Sequence, residues 1–444
     1  MTLLISNCDA MVVSADGLPR VLTGVDIGID GATITSISPT GSAAGEPTAE
    51  TIDGTGLLAV PGLANAHCHS PMVLMRGAAE DVSLERWFNE LIWPMEMNLT
   101  PDRVYAGARL ACAEMLLAGV TAFADHYFAA DRIADAAAEL GIRANIAPTY
   151  FSTLGADGRA AAIAAAVRLR DHPSSLIGGS LGPHATYTVD EDDLAYFAAA
   201  GRAEGLQVHI HTSETIEQTR ASQTKLGVTP IEVLARTGIL ETGALIAHGT
   251  GIVEEDLPVL AGFADRVGVA CCPKGYFKSA LDPMTPVRGL REHGIRVGIG
   301  TDGAASGNTM DVWEQTRLMA MAMKRQEHDA EYLTVAEAIG IATRGGASLA
   351  PFGLSGTLEP GAAADVVLVD LSGPHCQPVH DALAALLYSM RGSDVRTVVV
   401  NGRVVVRDRT LVTADLGEIL REARSVAPQL LTRRPGEAVA HYAP

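Results

Sequence analysis

The chain has 444 residues, with 52 Asp or Glu against 33 Lys or Arg, a net charge of −19. Hydrophobic residues make up 48% and charged residues 19%, which excludes a disordered chain, and the acidic balance argues against nucleic acid as a partner because it repels a phosphate backbone. At about 150 residues per domain the length fits three domains, or one α/β barrel of about 250 residues with a remainder.

The first 55 or so residues alternate in short β-type runs. These are Leu3-Leu4-Ile5, Met11-Val12-Val13, Val25 to Ile29 and Ile34 to Ile37, with turns at Gly17, Asp30-Gly31 and Pro39. The middle has another rhythm, in which apolar runs alternate with Ala/Leu-rich amphipathic stretches. Eight runs are visible, at 58–60, 120–123, 144–146, 176–178, 208–210, 244–246, 267–270 and 297–299. Helical stretches fall between them at 103–117, 132–140, 160–170, 192–204, 231–237, 256–264 and 287–293. Buried parallel strands read as continuous apolar runs, so this pattern predicts a (β/α)8 TIM-type barrel over 58–362. The C-terminal part returns to β texture, with Ala364 to Val369, Thr397 to Val400 and Val404 to Val406; Asn401-Gly402 between two valine runs is a hairpin signal. A small β-sandwich domain built from both termini, 1–57 and 363–444, is expected beside the barrel.

The six cysteines form no CxxC pair, as expected of free thiols in a reducing cytosol. Residues 1–15 have no basic stretch, and Asp9 interrupts their apolar run, so no signal peptide is expected. No uninterrupted apolar run nears the ~18 residues of a membrane span. The sequence predicts a soluble cytoplasmic protein without membrane contact.

Barrel chemistry sits at the C-terminal strand ends. After the first run comes His67-Cys68-His69; residues i and i+2 of a strand share a face, so both imidazoles can reach one metal ion. After the fifth comes His211-Thr212-Ser213-Glu214, preceded by His209; after the sixth, His248; after the eighth, Thr301-Asp302-Gly303. His67, His69, His211 and Asp302 offer three nitrogens and one carboxylate, a catalytic zinc-type donor set that leaves a position for water. Such an ion lowers the pKa of bound water to about 7. Glu214 is placed to carry the proton, and His248 to hydrogen-bond the water or polarise the substrate. His209 is read as structural, and Cys68 as pointing away from the ion. Asp125-His126, at the end of the second run, suits either substrate contact or helix capping.

These residues, with Pro61-Gly62-Leu63 before them and Gly300 to Ser306 after them, resemble the amidohydrolase superfamily over nearly the whole chain. Leu74-Met75-Arg76-Gly77-Ala78-Ala79-Glu80-Asp81, Trp87, Trp93-Pro94-Met95-Glu96 and Gly182-Pro183-His184 are similar to the 5-methylthioadenosine/S-adenosylhomocysteine deaminase and chlorotriazine hydrolase group. The resemblance implies one divalent ion, Zn²⁺ or Fe²⁺, on His67, His69, His211 and Asp302. Glu214 would shuttle the proton, Asp302 would assist as base and His248 would orient the water. His184 would contact the heterocycle, Glu96 would hold ribose hydroxyls and Trp87 would line the pocket. Arg159 would match a carboxylate-binding arginine.

The implied activity is hydrolytic deamination of an aminated N-heterocycle, an adenosine-type nucleoside or related purine, with release of ammonia. An s-triazine hydrolase and a guanine- or pterin-type deaminase are the alternatives. The partners are then a small heterocycle and water, and the family resemblance implies a homo-oligomer. Cys271-Cys272-Pro273 and Lys274 to Lys278 depart from the group's usual residues, and Pro148 stands where an arginine receives the homocysteine carboxylate. Both changes argue against S-adenosylhomocysteine. The chain's lysines are Lys225, Lys274, Lys278 and Lys324, so Leu176 to Thr186 offers none for a carboxylated bridge, and a mononuclear site is expected.

Overall fold

The computed structural model describes the chain except for residues 15–16, 43–47, 433–437, 439 and 443–444. Five strands come first: β1 (Leu3–Val13), β2 (Pro19–Asp30), β3 (Thr33–Pro39), β4 (Glu50–Asp53) and β5 (Leu57–Pro61). The next nine, β6 (Leu63–Cys68), β7 (Val120–Tyr127), β8 (Arg143–Tyr150), β9 (Ile177–Gly179), β10 (Gly182–Pro183), β11 (Val208–Thr212), β12 (Ala244–His248), β13 (Val267–Cys271) and β14 (Arg296–Ile299), alternate with helices. Four more follow: β15 (Val366–Asp370), β16 (Val395–Val400), β17 (Arg403–Arg407) and β18 (Thr410–Leu411).

The middle strands pair in parallel and close into a (β/α)8 barrel. β6, β7 and β8 are neighbours, and β9 and β10 share the fourth position along β8. Bridges Leu181–Val208 and Ala185–His211 carry the barrel into β11, and β11 to β14 continue in order. Closure comes where the Thr301 amide donates to the His67 carbonyl at 3.0 Å. Gly300 makes this approach possible, because a Cβ there would lie 2.8 Å from that carbonyl oxygen. All residues of β7, β11, β12 and β13 are buried, so their sequences carry no polar alternation. The helix Ala130–Leu140 shows the complementary logic. Ile133, Ala134, Ala136, Ala137 and Leu140 form its buried stripe, and Gly141 at φ +77° ends it.

Strands from the two ends form one nine-stranded sheet, in which β5 pairs with both β1 and β15. Its period of two sorts side chains between two cores. Val366 and Leu368 face a local core with Ile5, Ala10 and Ile27, while Val367 and Val369 join Leu58 and Val60 in the main core against the barrel. The run 58–60 is therefore a sheet strand and not the first barrel strand; the barrel begins with β6. Pro61-Gly62 lies at the crossing, and the Gly62 amide donates to the Asp365 carbonyl at 3.0 Å.

The C-terminal part also departs from the expected division. The helix Leu416–Leu430 leaves the sheet and packs on the barrel helix Pro101–Leu117, where Arg109 meets Glu422 at 2.7 Å and Glu418 at 3.7 Å. No helix among the described residues is long and apolar enough to cross a membrane.

The Asn401-Gly402 hairpin is present, with φ of +51° and +75°, the left-handed pair of a type I′ turn. A Cβ on Gly402 would lie 1.8 Å from the Gly31 carbonyl oxygen. Gly402→Ala is expected to destabilise the fold by about 2 kcal/mol or more, read from the urea midpoint. An unchanged midpoint would contradict this packing.

Candidate active site

The C-terminal ends of the barrel strands converge on one cavity. β6 delivers His67 and His69, β11 leads to His211 and Glu214, β12 ends in His248, and Asp302 follows β14. Ser213, His248 and Asp302 have φ of +47°, +73° and +57°. Non-glycine residues avoid this region, and here it turns the chain sharply at three strand ends that carry polar side chains.

Two imidazoles are held by one device and a third by another. Nδ1 of His69 lies 2.6 Å from the His126 carbonyl oxygen, and Nδ1 of His211 lies 2.8 Å from that of His184. A carbonyl only accepts, so both Nδ1 atoms carry a proton and both Nε2 atoms are turned toward each other. Nδ1 of His67 meets Nε2 of His209 at 2.8 Å, which gives His209 its place behind a site residue. The free nitrogens then converge. Nε2 of His69 and His211 are 3.3 Å apart, and Asp302 Oδ1 lies 3.4 Å from His69 Nε2 and 3.7 Å from His67 Nε2. The His67 Nε2 atom is buried without a hydrogen-bond partner among the described residues.

Burial pushes the imidazoles of His67, His126, His209 and His211 well below the usual histidine range, and that of His184 down to about 3. Neutral nitrogens, an orphaned buried Nε2 and an adjoining carboxylate fit a divalent cation with one position open. His67, His69 and His211 form one group of metal-binding geometry; His67, His248 and Asp302 form another beside it.

Glu214 stands over this cluster. Its amide donates to Gln218 Oε1 at 3.0 Å, and Gln218 Nε2 donates to its Oε2 at 3.2 Å. Burial raises its carboxyl above the usual range; His248 opposes the shift and the charge of Asp302 adds to it. Glu96 accepts from the Tyr127 hydroxyl at 2.6 Å, and burial, opposed by that bond, pushes it up to about 7.

The cavity holds about 1020 Å³ of non-protein space, counted out to its open mouth. Its lining includes His69, His211, Glu214, His248 and Asp302, and also Trp87, Glu96 and His184. Arg159 does not line it. The guanidinium is drawn to the helix layer, where it pairs with Asp193 and lies 4.1 Å over the Tyr196 ring, so a substrate contact for Arg159 is withdrawn. Cys271 and Cys272 are buried and do not line the cavity.

Sequence reasoning left out much of the wall. Phe128, Thr149, Phe151 and Tyr276 all line it, beside His126, for which the sequence allowed substrate contact. Phe151 stacks on His184 at 4.4 Å between ring centroids. Tyr276 lies in the segment already marked as atypical, and its hydroxyl accepts from the Cys272 amide at 2.8 Å. Lys278 lines the mouth with its amine 2.6 Å from Glu80.

The amidohydrolase family matches residues 58–405. The chain belongs to that family. A 5-methylthioadenosine/S-adenosylhomocysteine deaminase from Natronomonas pharaonis is 41% identical over 393 residues, 87% of this chain and 90% of the relative. A 5′-deoxyadenosine deaminase from Methanoregula boonei is 37% identical over 386 residues, 86% of each chain. Among solved structures, an adenosine deaminase from Xanthomonas campestris with bound zinc superposes with a TM-score of 0.90 at 31% identity, covering 97% of this chain and 98% of that one. An atrazine chlorohydrolase from Arthrobacter aurescens complexed with zinc gives 0.86 at 27% identity, covering 96% and 100%. As an amidohydrolase of this group, the chain is a hydrolase of C–N bonds in cyclic amidines.

The raised Glu96 carboxyl has a thermodynamic consequence. Between about pH 4.5 and 7 the folded chain holds a proton that the unfolded chain has lost, so Glu96 costs stability as pH rises through this window. Glu96→Gln removes that cost and keeps an acceptor for Tyr127. Its stability relative to wild type should grow by on the order of 3 kcal/mol from pH 4.5 to 7.5 in urea unfolding. A pH-independent difference would contradict the buried carboxyl.

Proposed function

We propose that this amidohydrolase is a mononuclear metal-dependent deaminase that removes ammonia from an adenosine-type nucleoside. The observation that carries the reading is the convergence of three imidazole Nε2 atoms and Asp302 in the aromatic cleft that the buried Glu214 also lines. The names of the related deaminases support the substrate class.

His67, His69, His211 and Asp302 would hold the ion, and Zn²⁺ is favoured because the structural neighbours were solved with zinc. When bound, the ion supplies the Lewis acidity that makes water a nucleophile near neutral pH. The remaining chemistry belongs to side chains. Trp87, Phe88, Phe128 and Phe151 form apolar walls for a flat heterocycle. Glu214, whose carboxyl burial shifts toward the protonated form, donates to the ring nitrogen beside the amino-bearing carbon, which makes that carbon electrophilic. Asp302 takes a proton from the attacking water, and His248 orients that water by hydrogen bonding. As the tetrahedral centre collapses, Asp302 gives the proton it took from water to the departing amine, Glu214 recovers a proton from the added hydroxyl, and ammonia leaves. Glu96, buried near His69 and Tyr127, accepts from the sugar hydroxyls, and His184 packs its ring against the base.

Metal-replete protein incubated with aminopurine nucleosides, pterins, aminopyrimidines and triazines should release ammonia from an adenosine-type nucleoside. Chloride release from a chlorotriazine, with no ammonia from any nucleoside, would replace this reading with the triazine one. Glu214→Gln should keep about one ion per chain and lose roughly 10³-fold in kcat. His211→Ala should lose the ion, measured by elemental analysis after dialysis. Full activity in Glu214→Gln would remove the proton carrier from the mechanism.

A further inference from the structure

Tyr442 packs beside the active-site cavity. Tyr442 is only 3% exposed, although it lies two residues from the end of the chain. Asn89 grips its backbone from both sides: the Tyr442 amide donates to Asn89 Oδ1 at 2.8 Å, and Asn89 Nδ2 donates to the Tyr442 carbonyl at 2.9 Å. A second asparagine on the same wall, Asn98, holds the root of the segment by donating to the carbonyls of Leu430 and Thr432. Asn89 lies within, and Asn98 just after, the stretch that supplies Trp87, Phe88, Trp93 and Glu96 to the cavity. Within it, Trp87–Ile92 forms a π-helical turn, a form with wider hydrogen-bond spacing that is found mostly at functional sites.

Beside its edge contact with Tyr187, the Tyr442 side chain makes two contacts with different consequences. Its ring stacks on Phe88, with centroids 4.8 Å apart and planes 14° apart, on a residue that lines the cavity. Its hydroxyl accepts from Gln218 Nε2 at 3.5 Å, and the same amide group donates to Glu214 Oε2 at 3.2 Å. Trp93 and Phe151 complete the aromatic cluster to which Tyr442 belongs. One tail residue thus backs a substrate wall with its ring and fixes the Gln218 amide with its oxygen.

We propose that Tyr442 is a positioning residue, its ring setting the substrate wall through Phe88 and its hydroxyl orienting Glu214 through Gln218. The kinetic half of this rests on the deaminase reading; the structural half does not. The two contacts separate by substitution. Tyr442→Phe keeps the stack and loses the hydroxyl, so kcat should fall about threefold with KM within about twofold of wild type. Tyr442→Ala loses both, so KM should rise about fivefold or more as well. Asn89→Ala, which frees the backbone of the tail, should reproduce the Tyr442→Ala values. Metal content should match wild type in all three.

A substrate-free readout keeps the two readings apart. Hydrogen–deuterium exchange of peptides covering 87–98 should quicken in Tyr442→Ala and return to the wild-type rate in Tyr442→Phe. Unchanged exchange in Tyr442→Ala overturns the proposal even if the wild-type chain deaminates nothing. Where the wild-type chain does turn over, kinetics of Tyr442→Ala within twofold of wild type overturn it. Equal losses in Tyr442→Ala and Tyr442→Phe, with a matching fall in Tm, also overturn it, because they describe a merely structural contact.

Discussion

Imidazoles packed this densely in a dry barrel must stay uncharged, and the architecture follows from that constraint. His67, His126, His184, His209 and His211 are linked by ring contacts with centroids 4.8 to 6.1 Å apart, and burial holds each below the usual histidine range. Two imidazolium ions at such spacing in a low-dielectric interior would repel strongly. The fold answers by giving Nδ1 of His69 and His211 a carbonyl acceptor. This places a proton on each Nδ1 and turns each Nε2 toward the cluster, so ring orientation is set by these hydrogen bonds.

The carbonyls that do this come from neighbouring strand ends. His126, next to last in β7, serves His69, the residue after β6; His184 follows β10 and serves His211 on β11. Barrel register therefore sets ring orientation. A slip of one residue between β6 and β7 would replace the acceptor and turn the ring. The left-handed backbone at Ser213, His248 and Asp302 completes the arrangement, because a strand continued straight would carry these side chains past the cluster.

The chemistry-bearing residues were legible because type and position coincide. His67-Cys68-His69, His211, Glu214, His248 and Asp302 each follow an apolar run, and the period of a strand puts the two histidines of the first motif on one side. The walls were not legible, because an aromatic such as Phe151 or Tyr276 has the same appearance in a core as in a pocket, and only the packed structure separates the two. Arg159 shows the converse error: a resemblance gave it a substrate role, while Asp193 and Tyr196 beside it in space hold it in the helix layer. Leu58-Ala59-Val60 misled for a similar reason. A strand buried on both faces reads alike in a barrel and in a sheet pressed against one, and its partner β15 lies about 300 residues away. Tyr442 gave no signal, since its contacts with Asn89 span 353 positions.

That distant pairing also orders events during synthesis. β5 has its β1 neighbour at once, but its other edge and the apolar face carrying Leu58 and Val60 await β15, which leaves the ribosome only after the whole barrel. An unpaired edge beside exposed valine and leucine is a template for pairing with another nascent chain. The barrel between the two halves of the sheet therefore acts as a delay line. The aggregation hazard of this protein is concentrated in the interval before its last hundred residues are made.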